Sequence, residues 1–348
     1  MENFDNYDSN YYDYNYTEGI TEAPHDSAVF AHKATCLAEA LCVGLLVISI
    51  FIFLLGFLGN ALVIWISGFK MRKTVNTTWY LSLAISDFVF CAFLPFSIVN
   101  MVMEEWIFGR FMCKFVSSVM FLNMFSSIFL LVVISIDRCM SVVFPVWSQN
   151  HRTVNKASVV VCLSWALAIV LCVPSAIYRE VGSHMGRTIC YNNYTSSQYG
   201  HKTVAVSRFF AGFVVPFAII IICYSIIILK LRTNRLTKSS KPFKVMTALV
   251  LAFFVCWLPY HVFVLLELDH QKYDHNVLVT GLKVGTSLAA ANSFLNPVLY
   301  VFMGNDFKQK FKSSMLSKME NAMGDEGRTI SRYLSRSSSM DARASTHI

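Results

Sequence analysis

Seven long apolar segments constrain the fold of this chain more than any other feature of its sequence. Each has about 20 or more mostly apolar residues, the length that an α-helix needs to cross the ~30 Å hydrocarbon core of a bilayer. The 348 residues are 55% hydrophobic and 14% charged, so one soluble core could not bury this much apolar surface. The sequence therefore predicts an all-α membrane protein, a seven-transmembrane helix bundle, with spanning segments at 38–67, 77–102, 112–144, 157–178, 204–231, 243–267 and 276–303.

The basic residues indicate how these segments are oriented. The first, third and fifth loops are basic, whereas residues 1–32 contain seven acids and no Lys or Arg. The positive-inside rule places the amino terminus outside and the carboxyl terminus in the cytoplasm, so we expect a multi-pass protein of the plasma membrane. The net charge of +8 does not indicate a nucleic-acid partner, because the bases form short clusters between apolar runs. The loop bases are Lys70, Arg72, Lys73, Arg152, Lys156, Arg232, Arg235, Lys238 and Lys241.

Three further parts flank the bundle at 38–303. Residues 1–37 form an acidic, tyrosine-rich extracellular tail, which suits either sulfation and binding of a basic protein or simple disorder. Residues 304–316 place Phe307, Phe311 and Met315 at helical spacing among lysines, which predicts a short amphipathic eighth helix lying on membrane lipids. Residues 317–348 are rich in Ser and predict a disordered, phosphorylatable cytoplasmic tail.

Two kinds of extracellular modification follow from this topology. Asn15 and Asn193 lie in N-x-[ST] sequons outside, where we expect glycosylation, whereas the sequon at Asn76 is cytoplasmic and should stay bare. Cys113 and Cys190 both face the oxidising side, so we expect a disulfide that ties the second outer loop to the third segment.

The segments also carry short motifs in a fixed order. They are "GFLGNALVIW", "LAISD", "DRC", Trp165, Pro216 with Tyr224, "FFVCWLPYH" and "NSFLNPVLY". In this order they resemble the rhodopsin-like (class A) G-protein-coupled receptors over residues 38 to about 316. Residues 69–76, 145–154, 241–244 and 300–312 are most similar to the chemoattractant branch, and within it to the chemerin (chemokine-like) receptors.

The resemblance implies a receptor for an extracellular chemoattractant peptide or protein, with a chemerin-like ligand expected. Such a receptor activates a heterotrimeric G protein of the inhibitory class and recruits arrestin. A receptor for another inflammatory peptide and a scavenging receptor without G-protein signalling remain alternatives. An opsin is disfavoured because Ala290 stands where the retinal lysine is needed, and no catalytic or zinc-ligand pattern supports an enzyme.

The expected ligand site lies at the outer end of the bundle. Arg208 is about two turns outward of Pro216, where it can face the cavity and bind a carboxylate, or else snorkel to the surface. Formyl-peptide receptors carry an acid near the depth of Phe121, so recognition of that kind is not expected. Arg179, Glu267 and Lys283 are expected at the mouth of the cavity.

The resemblance also assigns a switch at the inner end. Asp137 is expected to hold Arg138 at rest, and release lets Arg138 meet Tyr224 and the G protein. Many relatives have a second restraint, an acid where Ser239 stands here, so we expect raised ligand-free signalling. The remaining expected switch and hinge residues are Trp257, Pro259, Asn296, Pro297 and Tyr300.

Asp87 is a carboxylate in the middle of the second segment, and no Lys or Arg lies at its depth. The resemblance implies no cofactor but a possible allosteric sodium ion. A polar network filled with water and a protonated Asp87 are the alternatives. The expected sodium ligands are Asp87, Ser127, Asn292, Ser293 and Asn296.

Overall fold

The computed structural model describes residues 39–184, 186–195, 199–233 and 241–303. Asn15, Ser239 and the predicted parts 1–37, 304–316 and 317–348 therefore lie outside the described residues. The elements are α1 (Ala40–Trp65), α2 (Val75–Met103), α3 (Gly109–Val143), α4 (Pro145–His151), α5 (Val154–Tyr178), β1 (Arg179–His184), β2 (Arg187–Asn192), α6 (Gly200–Phe209), α7 (Val215–Thr233), α8 (Lys241–Glu267) and α9 (His275–Met303).

The long helices coincide with the seven predicted segments. In the described ranges, six of them are long and apolar enough to cross a membrane, with α6 and α7 counted as one continuous span. The helix α9 is not among the six. It carries buried Asn292, Ser293 and Asn296, and it packs against α8 and α1. The predicted all-α bundle is confirmed, and its seventh helix is recognised by packing where hydropathy is weak.

Two elements of the described chain were not predicted. The short helix α4 follows Phe144 and begins at Pro145, a residue whose fixed φ suits the first helical position. The strands β1 and β2 pair antiparallel, with Val181 opposite Cys190, and form a hairpin after α5. The helix α2 also begins two residues earlier than expected, because Thr74 and Thr77 form a reciprocal capping box at its start.

Pro297 creates a local need that another helix satisfies. A proline has no N–H, so the carbonyl oxygen of Ser293, four residues earlier, lacks its helical donor. The buried amide of Asn60 on α1 donates to that oxygen at 2.8 Å and to the Gly56 carbonyl at 2.9 Å. The motif asparagine of α1 therefore ties α1 to the proline site of α9.

A π-helical turn, Phe210–Val214, joins α6 to α7 just before Pro216. Such a turn accommodates one extra residue per turn and is common at functional sites. Its Gly212 faces α3, where an added Cβ would lie 2.9 Å from Met124 Cε. The lack of a side chain at Gly212 thus lets α3 approach closely. The extra residue of the turn also changes the direction in which the side chains of α6 point relative to those of α7.

Two glycines on α9 permit the close approach of α8. A Cβ at Gly281 would lie 2.1 Å from Phe263 Cε1, and one at Gly285 would lie 2.9 Å from the Tyr260 backbone nitrogen. Small residues at helix contacts are typical of membrane bundles, where close van der Waals packing drives association.

Candidate functional site

The β1–β2 hairpin is fixed to the first turns of α3. Cys113 on α3 and Cys190 on β2 form a disulfide with a Cα–Cα distance of 5.7 Å, as predicted. Glu180 on β1 accepts an ion pair from Arg110 Nη2 at 2.7 Å and another from Lys114 Nζ at 2.9 Å. Hydrogen bonds from Arg110 and Lys114 hold the pKa of the Glu180 carboxyl below its usual range.

The other edge of the hairpin is fixed to the end of α2. Arg187 forms an ion pair with Glu104, and the backbone N–H of Thr188 donates to the Glu105 carboxylate at 3.2 Å. Glu104 has a φ of 52°, which turns the chain sharply at the end of α2. Together these contacts fix the hairpin to the end of α2 and the beginning of α3.

Asn193, the sequon residue after the hairpin, is partly buried, and its Oδ1 accepts from Thr195 Oγ1 at 2.6 Å. Its Nδ2 makes no hydrogen bond in the described part of the chain.

Arg208 on α6 points inward. Its guanidinium carbon lies 3.7 Å from the centre of the Phe121 ring on α3, and its Nη2 donates to Ser175 Oγ on α5 at 2.7 Å. The residue is 9% exposed, and its Nε is buried without a hydrogen-bond partner. The alternative in which Arg208 snorkels to the surface is therefore wrong.

Arg179 is close enough to Arg208 for the two charges to interact. Its Nε donates to Ser117 Oγ on α3 at 2.7 Å. Burial is the main cause that lowers the pKa of Arg179, and the charge of Arg208 adds to the effect. Within the described residues, neither guanidinium has a carboxylate within ion-pair distance. Two partly desolvated cations thus lie together without an anion.

Tyr260 on α8 links this pair of cations to the middle of the bundle. It interacts electrostatically with Arg208, Arg179 and Glu267. Its ring centre is 6.2 Å from that of Phe121 and 5.8 Å from that of Trp257, which it meets edge to face. Trp257 is 1% exposed and lies two residues before Pro259, the proline of α8. Tyr260 was not predicted as a site residue, although it lies within the motif "FFVCWLPYH".

The other two predicted ligand residues are less deeply placed. Glu267 ends α8, and its Oε2 lies 3.8 Å from His201 Nε2, a contact that is an ion pair only when the imidazole is protonated. Lys283 on α9 is exposed and makes no ion pair with the described residues.

The buried polar core centres on Asp87. Asn123 Nδ2 donates to its Oδ1 at 2.9 Å, and Asn296 Nδ2 donates to its Oδ2 at 2.6 Å. Ser293 Oγ donates to Asn123 Oδ1 at 3.4 Å. Ser127 Oγ and Asn292 Oδ1 are buried without a hydrogen-bond partner.

These oxygens fit a small hard cation. Carboxylate, hydroxyl and amide oxygens are the ligands such a cation takes, and a carboxylate that accepts two hydrogen bonds still has lone pairs to offer. The two orphaned oxygens supply the acceptors that a cation requires. Groups of three or more His, Cys, Asp or Glu residues that could hold a transition metal do not occur in the described ranges.

The charged network around Asp137 and Arg138 differs from the expectation. Arg152, just after α4, holds the Asp137 carboxylate, with Nε to Oδ1 at 2.7 Å and Nη2 to Oδ2 at 2.9 Å. Arg138 instead donates to the Oδ1 of Asn76, which also accepts from Arg152. Asp137 and Arg138 thus make no direct hydrogen bond in this structure, because the guanidinium of Arg152, just after α4, reaches both carboxylate oxygens. That Asp137 holds Arg138 in the resting receptor stays a prediction.

Tyr224 on α7 lies within electrostatic range of Arg138, and its hydroxyl is hydrogen-bonded to Thr247 on α8. Tyr300 lies on α9, and its side chain is outside the described part of the structure. The sequence analysis missed Asn76 and Arg152 as members of this network. Arg152 lies fifteen residues after Asp137, and the two come together only because α4 reverses the direction of the chain between them.

Comparison with known proteins decides the family. A family model described as "7 transmembrane receptor (rhodopsin family)" matches residues 59–300. The chain belongs to this family. It is a multi-pass membrane receptor and not an enzyme, as the sequence predicted.

Its relatives place this rhodopsin-family receptor in the chemoattractant branch. Chemerin-like receptor 1 of Homo sapiens is 45% identical over 300 residues, which cover 81% of this chain and 80% of the relative. The C3a anaphylatoxin chemotactic receptor of Oncorhynchus mykiss is 41% identical over 299 residues, covering 83% and 82%. Formyl peptide receptor 2 of Mus musculus is 39% identical over 322 residues, covering 87% and 92%.

Proposed function

We propose that this receptor binds the carboxylate end of an extracellular chemoattractant peptide or protein, with a chemerin-like ligand as the first candidate. The observation that carries this proposal is the pair of buried cations Arg208 and Arg179, which have no carboxylate partner among the described residues. A buried cation without an anion is costly, and a ligand carboxylate bound by an Arg fork offsets that cost. The similarity to Chemerin-like receptor 1 supports chemerin over other peptides.

The rest of the cavity suits a peptide whose last residues are apolar. Phe121 and Tyr260 lie beside the cations, and Glu267 can pair with a base nearer the mouth. The position of Phe121, in place of an acid, disfavours formyl-peptide recognition of the kind expected from the family.

Ligand binding is then relayed inward through aromatic contacts. A ligand carboxylate that binds Arg208 changes the stacking of the guanidinium on Phe121 and its interaction with Tyr260. Tyr260 in turn packs edge to face against Trp257. Trp257 lies beside Pro259, where α8 can bend because a helical hydrogen bond is missing. Movement of the inner half of α8 changes the surroundings of Thr247, Tyr224 and Arg138.

We further propose that the amino terminus is outside and the carboxyl terminus in the cytoplasm of a plasma-membrane receptor, with glycans on Asn15 and Asn193. At the inner end the receptor activates an inhibitory-class G protein and recruits arrestin. Asp87, Ser127 and Asn292, with Ser293 and Asn296 around them, hold a sodium ion that stabilises the resting form by neutralising the Asp87 carboxylate.

The decisive experiment expresses the full chain in cells and measures cAMP inhibition and arrestin recruitment. The probe is the carboxyl-terminal peptide of chemerin, as free acid and as amide, with formyl and complement peptides as comparisons. Arg208→Ala is expected to weaken the acid far more than the amide, whereas Lys202→Ala, an exposed lysine on the same helix, changes neither. Equal losses for acid and amide refute the carboxylate role, and silence with all peptides refutes the ligand class. Arrestin recruitment without cAMP inhibition indicates a scavenging receptor.

A further inference from the structure

A partly open cavity of about 350 Å³ lies on the side of the bundle between α2, α3, α4 and α5, at the end where Asp137 lies. This volume falls in the range of roughly 300–1,000 Å³ that small-molecule sites occupy. Neither Arg208 nor Arg179 lines it. None of the functions discussed above uses it.

The walls of this side cavity are mainly apolar. Val133, Ile136 and Met140 line it from α3, and Ala157 and Val160 line it from α5. Ile136 is 42% exposed, so this wall faces outward, toward the bilayer that surrounds a spanning protein. An acyl chain is the apolar partner that this environment supplies.

The rim of the cavity is positively charged. It carries Lys156, Arg152 and His151 against a single acid, Asp137. Asp137 is already held by two hydrogen bonds from Arg152. Lys156 is exposed and has no ion-pair partner among the described residues, and the Nη1 of Arg152 makes no hydrogen bond there. The cavity therefore offers free donors to an anion beside its apolar walls.

Trp147 completes the rim. It is 50% exposed and stacks on His151 with a ring-centre distance of 4.9 Å. Half-exposed Trp side chains beside lysines are typical of the membrane interface, where headgroups begin. The cavity thus combines apolar walls with an aromatic ring and cations, the three kinds of group that the acyl chain and headgroup of a phospholipid contact.

We propose that this side cavity binds one anionic phospholipid, with an acyl chain against α3 and α5 and its headgroup phosphate at Lys156 and Arg152. The assignment to the cytoplasmic leaflet, where anionic lipids concentrate, rests on the orientation given under the proposed function. Because Arg152 also holds Asp137, the bound anion competes with Asp137 for the same guanidinium. The lipid is then a regulator of the inner charged network.

The test uses the purified full chain in phosphatidylcholine nanodiscs. Dibrominated phosphatidylserine or dibrominated phosphatidylcholine is added in increasing mole fraction, and quenching of tryptophan fluorescence is measured, since Trp79 and Trp147 line the cavity. Half-maximal quenching is expected at a mole fraction about fivefold lower for the anionic lipid than for the neutral one, given the free cation at the rim. Trp147→Phe is expected to remove most of this difference.

Matched variants locate the effect. Lys156→Gln is expected to abolish the preference for the anionic lipid, Lys156→Arg to keep it, and Val160→Phe to weaken quenching by both lipids. Lys73→Gln, an exposed lysine at the same end that does not line the cavity, is expected to leave the preference intact.

Equal quenching by both lipids, or equal losses in Lys156→Gln and Lys73→Gln, overturns the proposal. Full competition by soluble glycerophosphoserine also overturns it, because this compound has no acyl chain. Full competition by a neutral sterol overturns it as well, because a sterol carries no charge. Nanodiscs present the same lipids on both faces and the assay contains no peptide. Failure of the orientation or of the peptide assignment therefore leaves this result unaffected, and the reverse also holds.

Discussion

Arg152 holds both carboxylate oxygens of Asp137, at 2.7 and 2.9 Å, and leaves the neighbouring Arg138 to hydrogen-bond with Asn76. The acid of the "DRC" motif is thus neutralised by Arg152, the residue that follows α4. The restraint on Arg138 in this form is indirect: it passes through an amide shared by two guanidiniums.

Removing Arg152 should strengthen the restraint on Arg138. In Arg152→Gln, Asp137 loses its partner and takes the adjacent Arg138, which lowers ligand-free G-protein activation by about two- to fivefold if the pair is worth about 0.5–1 kcal/mol. Arg72→Gln, an exposed base at the same end, is the control. Adding Asp137→Asn should restore the signal; a rise in basal signalling in the single variant contradicts the idea. Ser239→Glu, which adds the missing acid, should also lower basal activity.

Phe121→Leu should weaken ligands that end in a carboxylate. The ring holds the Arg208 guanidinium at 3.7 Å, and the loss of a desolvated cation–π contact costs about 1–2 kcal/mol, or roughly five- to thirtyfold in affinity. Competition binding with the free acid measures the loss. Phe121→Tyr keeps the ring face and should bind within about twofold of the parent. A loss of the same size for the amidated peptide would show that the ring packs against the ligand and does not position Arg208.

Asp87→Asn should abolish the effect of sodium on agonist binding. If the proposed ion binds the resting form, replacing a bulky organic cation by sodium at constant ionic strength should lower agonist affinity in the parent receptor. Without the carboxylate this dependence disappears, and Ser127→Ala reduces it. A sodium effect that survives in Asp87→Asn would refute the sodium site and favour a network of water.

Gly285→Ala should destabilise the receptor. The added Cβ lies 2.9 Å from backbone atoms of Tyr260, which cannot move aside as a flexible side chain can. Overpacking costs about 1–3 kcal/mol, so the thermal midpoint in detergent should fall by several degrees. Gly44→Ala meets nothing within 4 Å and is the matched control; its midpoint should stay level or rise, because Ala favours helix.

The Glu180 ion pairs predict how the hairpin responds to acid. The pKa of this carboxyl is lowered in the folded receptor, so its contribution is complete above the ordinary value of 4.5 and is lost as the pH falls below it, through the lowered value. Amide hydrogen exchange of residues 179–184, corrected for intrinsic rates, should be constant between pH 7 and 5 and rise only in stronger acid. Glu180→Gln should exchange faster at pH 7, without the acid-induced rise. A rise centred near pH 6 in the parent would point to a histidine.

The sequence was sufficient to predict those features that depend on neighbouring residues or on the membrane topology. Apolar length predicts the helices, and the position of Cys113 and Cys190 on the oxidising side predicts their pairing. Arg208 was expected to face inward, and its side chain is buried between Phe121 and Ser175, although its role as a ligand residue stays a prediction. The pairing of Asp137 with Arg152 was out of reach, because it depends on the turn made by α4. The contact of Asn60 with Ser293 was also missed, since it joins residues 233 positions apart through a carbonyl that Pro297 leaves free.

The π-helical turn at Phe210–Val214 makes the outer site sensitive to chain length. A regular helix turns by about 100° per residue, so the extra residue of the turn determines which way α6 presents Arg208. Deleting one residue between 210 and 214 would let the segment relax to a regular helix and rotate Arg208 away from Phe121, with every ligand-facing side chain still present. Ligand recognition in this receptor thus depends on the phase of a helix as well as on the residues it carries.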